Sequence, residues 1–267
     1  METDVLVARL RAAGCVFAEE EALILVAAAG TPADLDVLVE RRAAGEPLEQ
    51  VVGWAEFCGL RIIVDPEVFV PRRRSEFLVS VAVGLVRPRG GSGAGSPVIA
   101  DVCCGTGALG LAVADKTAFS ELHAADLDPA AVRCARRNVE PVGGRVYQGD
   151  LLDALPASLR GRIGVLICNA PYVPTSEIVF MPAEARDHEA PIALDGGADG
   201  LDLVRRVVDE ARALLTGGGI LAVEVGSGQA EEARACFARC GYVEIETARD
   251  YAKIERVVSG EHRKTRR

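Results

Sequence analysis

From Val98 onward the chain alternates short apolar runs with helical stretches, and this alternation limits the fold more than any other feature of the sequence. Val98–Val102 reads as a buried strand, Leu109–Asp115 as a helix, Leu122–Asp126 as a strand, Pro129–Val139 as a helix and Val146–Gly149 as a third strand. Val165–Cys168 is a fourth strand, Leu201–Leu215 a helix, Gly219–Val225 a fifth strand and Ala230–Cys240 a helix. Val243–Thr247 and Lys253–Val258 close the sheet. Strands separated by helices pair through crossovers, which places them parallel with helices on both faces. The predicted class is α/β with a seven-stranded sheet.

The front of the chain follows a different pattern. Residues 1–50 carry apolar side chains at helical spacing, among them Leu6, Leu10, Leu25, Leu35 and Val39, and Thr31-Pro32 marks a helix start. Trp54–Phe57, Leu60–Val64 and Val68–Val70 are short β-rich runs punctuated by Cys58-Gly59 and Asp65-Pro66, and they predict a small hairpin unit. Glu76–Val86 predicts a helix, and Arg87–Pro97 a flexible spacer. The expected organisation is a helical N-terminal unit for substrate recognition over 1–50, a hairpin and linking helix over 51–86, and the alternating domain over 97–260.

Acidic residues outnumber basic ones by 39 to 30, a net charge of −9 that disfavours a general grip on nucleic-acid phosphates. Apolar runs such as Ala22–Gly30 fall far short of the roughly 20 residues that a membrane span needs. They also lack the basic start of a secretory signal, so a cytoplasmic protein without a membrane partner is expected. The eight cysteines form no CxxC pair and only three histidines accompany them, so they read as small buried hydrophobes and no metal is expected.

Chemistry concentrates at the ends of the first four strands. Asp101-Val-Cys-Cys-Gly105-Thr-Gly107-Ala-Leu-Gly110 follows the first strand and opens a helix, a place where backbone amides face a crevice. Asp126 ends the second strand, where a carboxylate accepts hydrogen bonds from ribose hydroxyls. Asp150 and Leu151 follow the third, suited to an adenine amine and ring respectively. These residues describe a bound nucleoside and leave two cofactors open, a nicotinamide dinucleotide and S-adenosyl-L-methionine. The fourth strand decides for the latter, because it ends in Asn169-Ala170-Pro171-Tyr172. An amide or aromatic amine is a poor nucleophile with a delocalised lone pair, and it must be held with that pair aimed at the methyl group. The Asn169 oxygen and the Ala170 carbonyl are two acceptors for its N–H groups, Pro171 keeps Ala170 extended, and Tyr172 is a flat wall.

With these motifs the chain resembles the protein-(glutamine-N5) methyltransferases of the HemK/PrmC and PrmB type. The likeness runs from about Gly45 to Gly260 and includes Gly45–Val79, Gln148–Leu155, Asn169–Tyr172, Glu184–Arg206 and Leu214–Gly226, with Glu184–Gly200 its most family-specific part. It implies a class I methyltransferase (Rossmann-like) fold with a helical N-terminal domain and S-adenosyl-L-methionine as donor. It places the acceptor amide on Asn169, Ala170, Pro171 and Tyr172. It also carries donor contacts onto Cys103, Cys104, Gly105, Thr106, Gly107, Asp126, Leu151 and Asn169; Asp101 and Asp150 complete the expected cofactor set. The implied acceptor is a glutamine in a protein, such as a release factor or ribosomal protein, and a monomer is expected.

Departures from the family pattern point to a branch with its own protein substrate. NPPY has become NAPY, the first glycine of DxGxGxG is Cys103, and PRPETE has become Pro71-Arg72-Arg73-Arg74-Ser75-Glu76. Arg72–Arg74 reads as a solvated turn and His262–Arg267 as a disordered basic end. Glu184, Arg186 and His188 are expected to order the loop over the substrate. Two rival readings are an adenine-amino methyltransferase acting on DNA or RNA, against which the acidic balance argues, and a catalytically silent donor-binding protein.

Overall fold

The computed structural model describes residues 3–86 and 96–263. Most of the expected spacer, and residues 264–267 of the basic tail, lie outside these. Four helices lead the chain: α1 (Thr3–Ala12), α2 (Ala18–Ala28), α3 (Pro32–Ala43) and α4 (Leu48–Val52). The Thr31 hydroxyl accepts the Asp34 N–H and Pro32 occupies the first turn of α3, as the sequence predicts. Leu6, Leu10, Leu25, Val39 and Val51 give this unit a core of its own. Inside it Arg42 pairs with Glu21 at 2.6 Å, both side chains being nearly buried.

Strands β1 (Trp54–Phe57) and β2 (Leu60–Ile63) form the expected antiparallel hairpin. Its turn has Cys58 at φ 53° and Gly59 at φ 83°, two left-handed residues whose twist suits a two-residue hairpin loop. Val68–Val70, in contrast, is not a strand. Its backbone is satisfied by side chains: Gln50 donates to the Val68 carbonyl at 3.0 Å and the Val70 N–H donates to Glu189 at 3.0 Å. No neighbouring strand is left for it to pair with. Helix α5 (Glu76–Leu85) follows.

The main sheet contains β3 (Val98–Val102), β4 (Glu121–Asp126), β5 (Arg145–Gln148), β6 (Ile163–Cys168), β7 (Leu215–Glu224), β8 (Val243–Arg249) and β9 (Glu255–Glu261) in the order β5-β4-β3-β6-β7-β9-β8. Strands β3 to β7 are parallel, while β9 runs antiparallel to both β7 and β8. The short connection from Arg249 to Glu255 is too brief for a crossover, so the last two strands form a hairpin. His262 continues this edge, its N–H donating to Gly219 at 2.8 Å, and so is not part of a free tail.

Residues in β3 and β6 alternate between two cores, as period-2 strands must. Val98, Ala100, Val102, Leu166 and Cys168 pack with α9 (Asp202–Glu210) and α10 (Ala230–Arg239), while Ile99, Val165 and Ile167 pack with α5, α6 (Ala108–Lys116) and α7 (Pro129–Val139). Burying each large aliphatic side chain in these cores contributes about 1.5–3 kcal/mol. The chain steps from β3 outward to β5 and returns on the other side of β3 with β6, opening a crevice at the carboxyl ends of these strands. A last helix, α8 (Ala183–His188), lies in the long segment between β6 and α9. No helix of the described residues is long and apolar enough to cross a membrane.

Candidate active site

A cleft of about 1260 Å³ opens at that crevice. It gathers Cys103, Cys104, Gly105, Thr106, Asp126, Asp150, Leu151, Asn169, Ala170, Pro171 and Tyr172 on its walls. Two expected cofactor residues, Asp101 and Gly107, lie outside this lining. Asp101 is fully buried and accepts the Gly110 N–H at 2.8 Å, tying the end of β3 to the first turn of α6. Burial pushes its carboxyl up to about 8. Gly107 starts α6 at φ 78°, and a Cβ there would lie 2.6 Å from Val139 Cγ2, so its role is close packing against α7.

The loop between them is held by backbone amides. Cys104 N–H donates to the Ala125 carbonyl at 3.1 Å and Gly105 N–H to Asp126 Oδ2 at 2.8 Å. Asp126 Oδ1 accepts the Asp128 N–H at 3.0 Å. Cys103 sits at φ 55°, a left-handed conformation that costs a residue with a Cβ about 1 kcal/mol or more. Leu151 is buried, and Asp150 pairs both oxygens with Arg206 at 2.9 and 3.2 Å.

The other half of the cleft surrounds the tetrad. Asn169 Nδ2 donates to Ser75 Oγ at 3.4 Å, while its Oδ1 is buried with no partner among the described residues. The Tyr172 hydroxyl donates to Glu224 at 3.2 Å and receives Arg74, whose guanidinium lies 5.6 Å from the Tyr172 ring centre. Burial raises the Tyr172 hydroxyl pKa, and the Glu224 charge adds to that. The tetrad backbone rests on two segments: Gln229, just before α10, donates to the Tyr172 carbonyl at 2.9 Å, and a Cβ at Gly200, in the segment after α8, would lie 2.2 Å from that same oxygen. Glu189, whose side chain is completely buried, accepts the Val70 N–H and both its oxygens receive Arg72 at 2.7 Å.

The expectation of a solvated turn at Arg72–Arg74 therefore fails for two of its three residues. Arg72 neutralises Glu189, and Arg74 faces Glu224 and Tyr172. Glu184, Arg186 and His188 do not line the cleft. Glu184 pairs with Arg42 at 3.3 Å, Arg186 pairs with its neighbour Asp187, and the His188 carbonyl accepts Gln50 at 3.3 Å. Glu184 and His188 thus link the loop to the N-terminal unit, while Arg186 stays within its own segment. Ser75, Glu189 and Glu224 are site residues that sequence reasoning missed. A lone carboxylate ending the apolar run Ile220–Val225 was the available signal for Glu224.

The lining fits a nucleoside with a cationic sulfur: the loop Cys103–Thr106, a carboxylate at the end of β4 and a buried leucine line the cleft together with Asn169. Comparison with known proteins agrees. The family model "Methyltransferase small domain" matches residues 92–197. A release factor glutamine methyltransferase of Geobacter sulfurreducens is 37% identical over 225 residues, covering 84% of this chain and 76% of that protein. A second, from Streptomyces coelicolor, is 41% identical over 70% of this chain and 65% of its own length. A 4-amino-L-phenylalanine/4-methylamino-L-phenylalanine methyltransferase of Streptomyces pristinaespiralis is 35% identical, covering 76% and 69%. The crystal structure of a methyltransferase from Pyrococcus furiosus shares the fold, with a TM-score of 0.55 at 17% identity over 77% of this chain and 90% of that one.

Proposed function

The chain belongs to the release factor glutamine methyltransferase family, and from that premise we propose that it transfers a methyl group from S-adenosyl-L-methionine to the side-chain amide nitrogen of a glutamine in a protein. The observation that carries this reading is that Asn169, a residue of the cleft wall, has a buried Oδ1 with no partner among the described residues. A buried acceptor without a donor is costly, and the N–H of an incoming amide removes that cost.

Cys103–Thr106, Asp126 and Leu151 would hold the donor, which when bound supplies an electrophilic methyl group on a sulfonium. The chain's own part is orientation. Asn169 Oδ1 and the Ala170 carbonyl accept the two N–H groups of the acceptor amide and turn its lone pair toward the methyl group. Ala170 is buried, and Pro171 after it keeps its backbone extended, so the second acceptor survives the loss of proline from the tetrad. Tyr172, fixed by Glu224 and Arg74, forms the wall beside the acceptor side chain. The methylated nitrogen is cationic and strongly acidic, so its proton leaves to water without a dedicated base.

Asn169→Ala is expected to reduce transfer at least 100-fold while the donor dissociation constant, measured calorimetrically, changes little. Unchanged transfer would overturn the amide-binding role. For the acceptor we place a translation factor or ribosomal protein first, in the cytoplasm, where the eight cysteines, all free, stay reduced. Mass spectrometry of glutamine methylation in cells with and without the protein identifies it. The Streptomyces pristinaespiralis relative favours a second reading, a small arylamine, whose nitrogen also has a delocalised lone pair. Transfer to 4-amino-L-phenylalanine but not to cellular protein would select it.

A further inference from the structure

The reaction above requires Asn169 to present its oxygen to the acceptor, and an asparagine amide has two orientations that exchange oxygen for nitrogen. Something must fix the choice. Ser75, 2% exposed, is the only polar partner of the Asn169 side chain among the described residues, at 3.4 Å. A hydroxyl that accepts from Asn169 still has one hydrogen to donate. Glu224, 2% exposed at the end of β7, lies within side-chain interaction reach of the Ser75 hydroxyl. Its Oε1 receives the Tyr172 hydroxyl at 3.2 Å and faces Arg74 Nε at 3.6 Å, but its Oε2 has no hydrogen-bond partner among the described residues. A donor in want of an acceptor adjoins an acceptor in want of a donor.

We propose that Ser75 and Glu224 are positioning residues that set the flip of Asn169: the ionised Glu224 takes the Ser75 hydroxyl hydrogen, leaving Ser75 Oγ able only to accept. Only the Nδ2 end of Asn169 can then face Ser75, and Oδ1 must face the acceptor. The proposal rests on the amide-binding reading of the tetrad. Protonation of Glu224 reverses the logic, because the Ser75 hydrogen becomes free to turn toward Asn169 and support the flipped amide, which sets N–H against N–H at the acceptor.

Three cations or hydroxyls besides Ser75 face Glu224: Arg74 from the turn before α5, Tyr172 from the loop after β6, and Arg256 from β9, itself paired with Asp250 at 3.1 Å. Burial raises the Glu224 carboxyl above its ordinary range, and Ser75 is the strongest of the groups that pull it back toward ionisation. The ionised form is the working one, so transfer is lost as pH falls through the Glu224 titration.

The test compares Ser75→Ala, Ser75→Thr and Glu224→Gln in the full chain. Labelled methyl transfer from S-adenosyl-L-methionine to protein extract of cells lacking the enzyme is followed from pH 5 to 9, and donor binding is measured separately. Ser75→Ala and Glu224→Gln should lose about 10- to 100-fold in transfer rate with donor affinity within about 2-fold, and both should lose the acid limb. Threonine keeps the hydroxyl and is the residue of the family segment PRPETE, so Ser75→Thr should restore rate and acid limb. A Ser75→Ala enzyme with the wild-type rate and pH profile, or a Ser75→Thr enzyme as slow as Ser75→Ala, overturns the proposal. Nuclear magnetic resonance of the Asn169 side-chain amide gives a readout independent of acceptor identity: its N–H protons should be protected from exchange in wild type and unprotected in Ser75→Ala and Glu224→Gln. Absence of label transfer by wild type with that protection pattern intact would overturn the glutamine reading alone.

Discussion

The two halves of the cleft are built on different principles. The donor half is local: residues 101–110, 126–128 and 150–151 each follow a strand, and backbone amides of the loop do most of the holding. The acceptor half is assembled from distant segments, with 69–75, 169–173, 189–200 and 224–229 brought together across as much chain as separates Arg74 from Glu224. Buried carboxylates are its ties: Glu189 to Arg72 and Val70, Glu224 to Tyr172 and Arg74. Local hydrogen bonding makes a loop that one substitution can alter without collapse. Ties between segments concentrate the structure in a few side chains.

The sharpest way to break this comparison is Glu189→Ala. It leaves the buried Val70 N–H without its acceptor and the half-buried Arg72 without its carboxylate, a loss of about 3 kcal/mol. Denaturant unfolding should show that loss, with Glu189→Gln less severe because an acceptor for Val70 remains. A smaller effect is expected from Asp101, the one buried carboxyl of the donor half that faces no cation. It titrates near 8 in the fold and near 4 in the unfolded chain, so between those values the folded state holds a proton that the unfolded state has lost. Stability from this group therefore falls as pH rises from about 4 to about 8, on the order of 2 kcal/mol between pH 5 and 7. Asp101→Asn should flatten that slope in pH-dependent melts. Smallest is Cys103→Gly, which relieves a left-handed residue and should stabilise by about 1 kcal/mol. A Glu189→Ala protein that unfolds no earlier than wild type would dissolve the distinction between the halves.

The same difference governs how much was legible in the sequence. The seven strands, the hairpin at Cys58-Gly59 and the Thr31 cap rest on period and turn chemistry within a few residues, and they stand nearly where the pattern puts them. Residues 103–106 of the loop after β3 line the cleft where the sequence put them, while Asp101 and Gly107 sit behind it. The acceptor half was readable only at Asn169–Tyr172. Val68–Val70 has the composition of a strand, yet Gln50 and Glu189 supply the hydrogen bonds that a neighbouring strand would have given. Arg72 and Arg74 look like surface charge until residues over a hundred positions away provide their partners. Pattern within a window cannot show which distant carboxylate a cation will meet.

Gln50 has a consequence of a mechanical kind. Its side-chain amide donates to the carbonyls of Val68 and His188, and its oxygen accepts the Glu67 N–H at 3.4 Å. One side chain of α4 thereby clamps both strips of backbone that lead into the acceptor wall, while Arg42 adds a second rivet through Glu184. The helical front is thus tied to the frame of the cleft by both side chains. Loss of the Gln50 amide would release both strips of backbone at once.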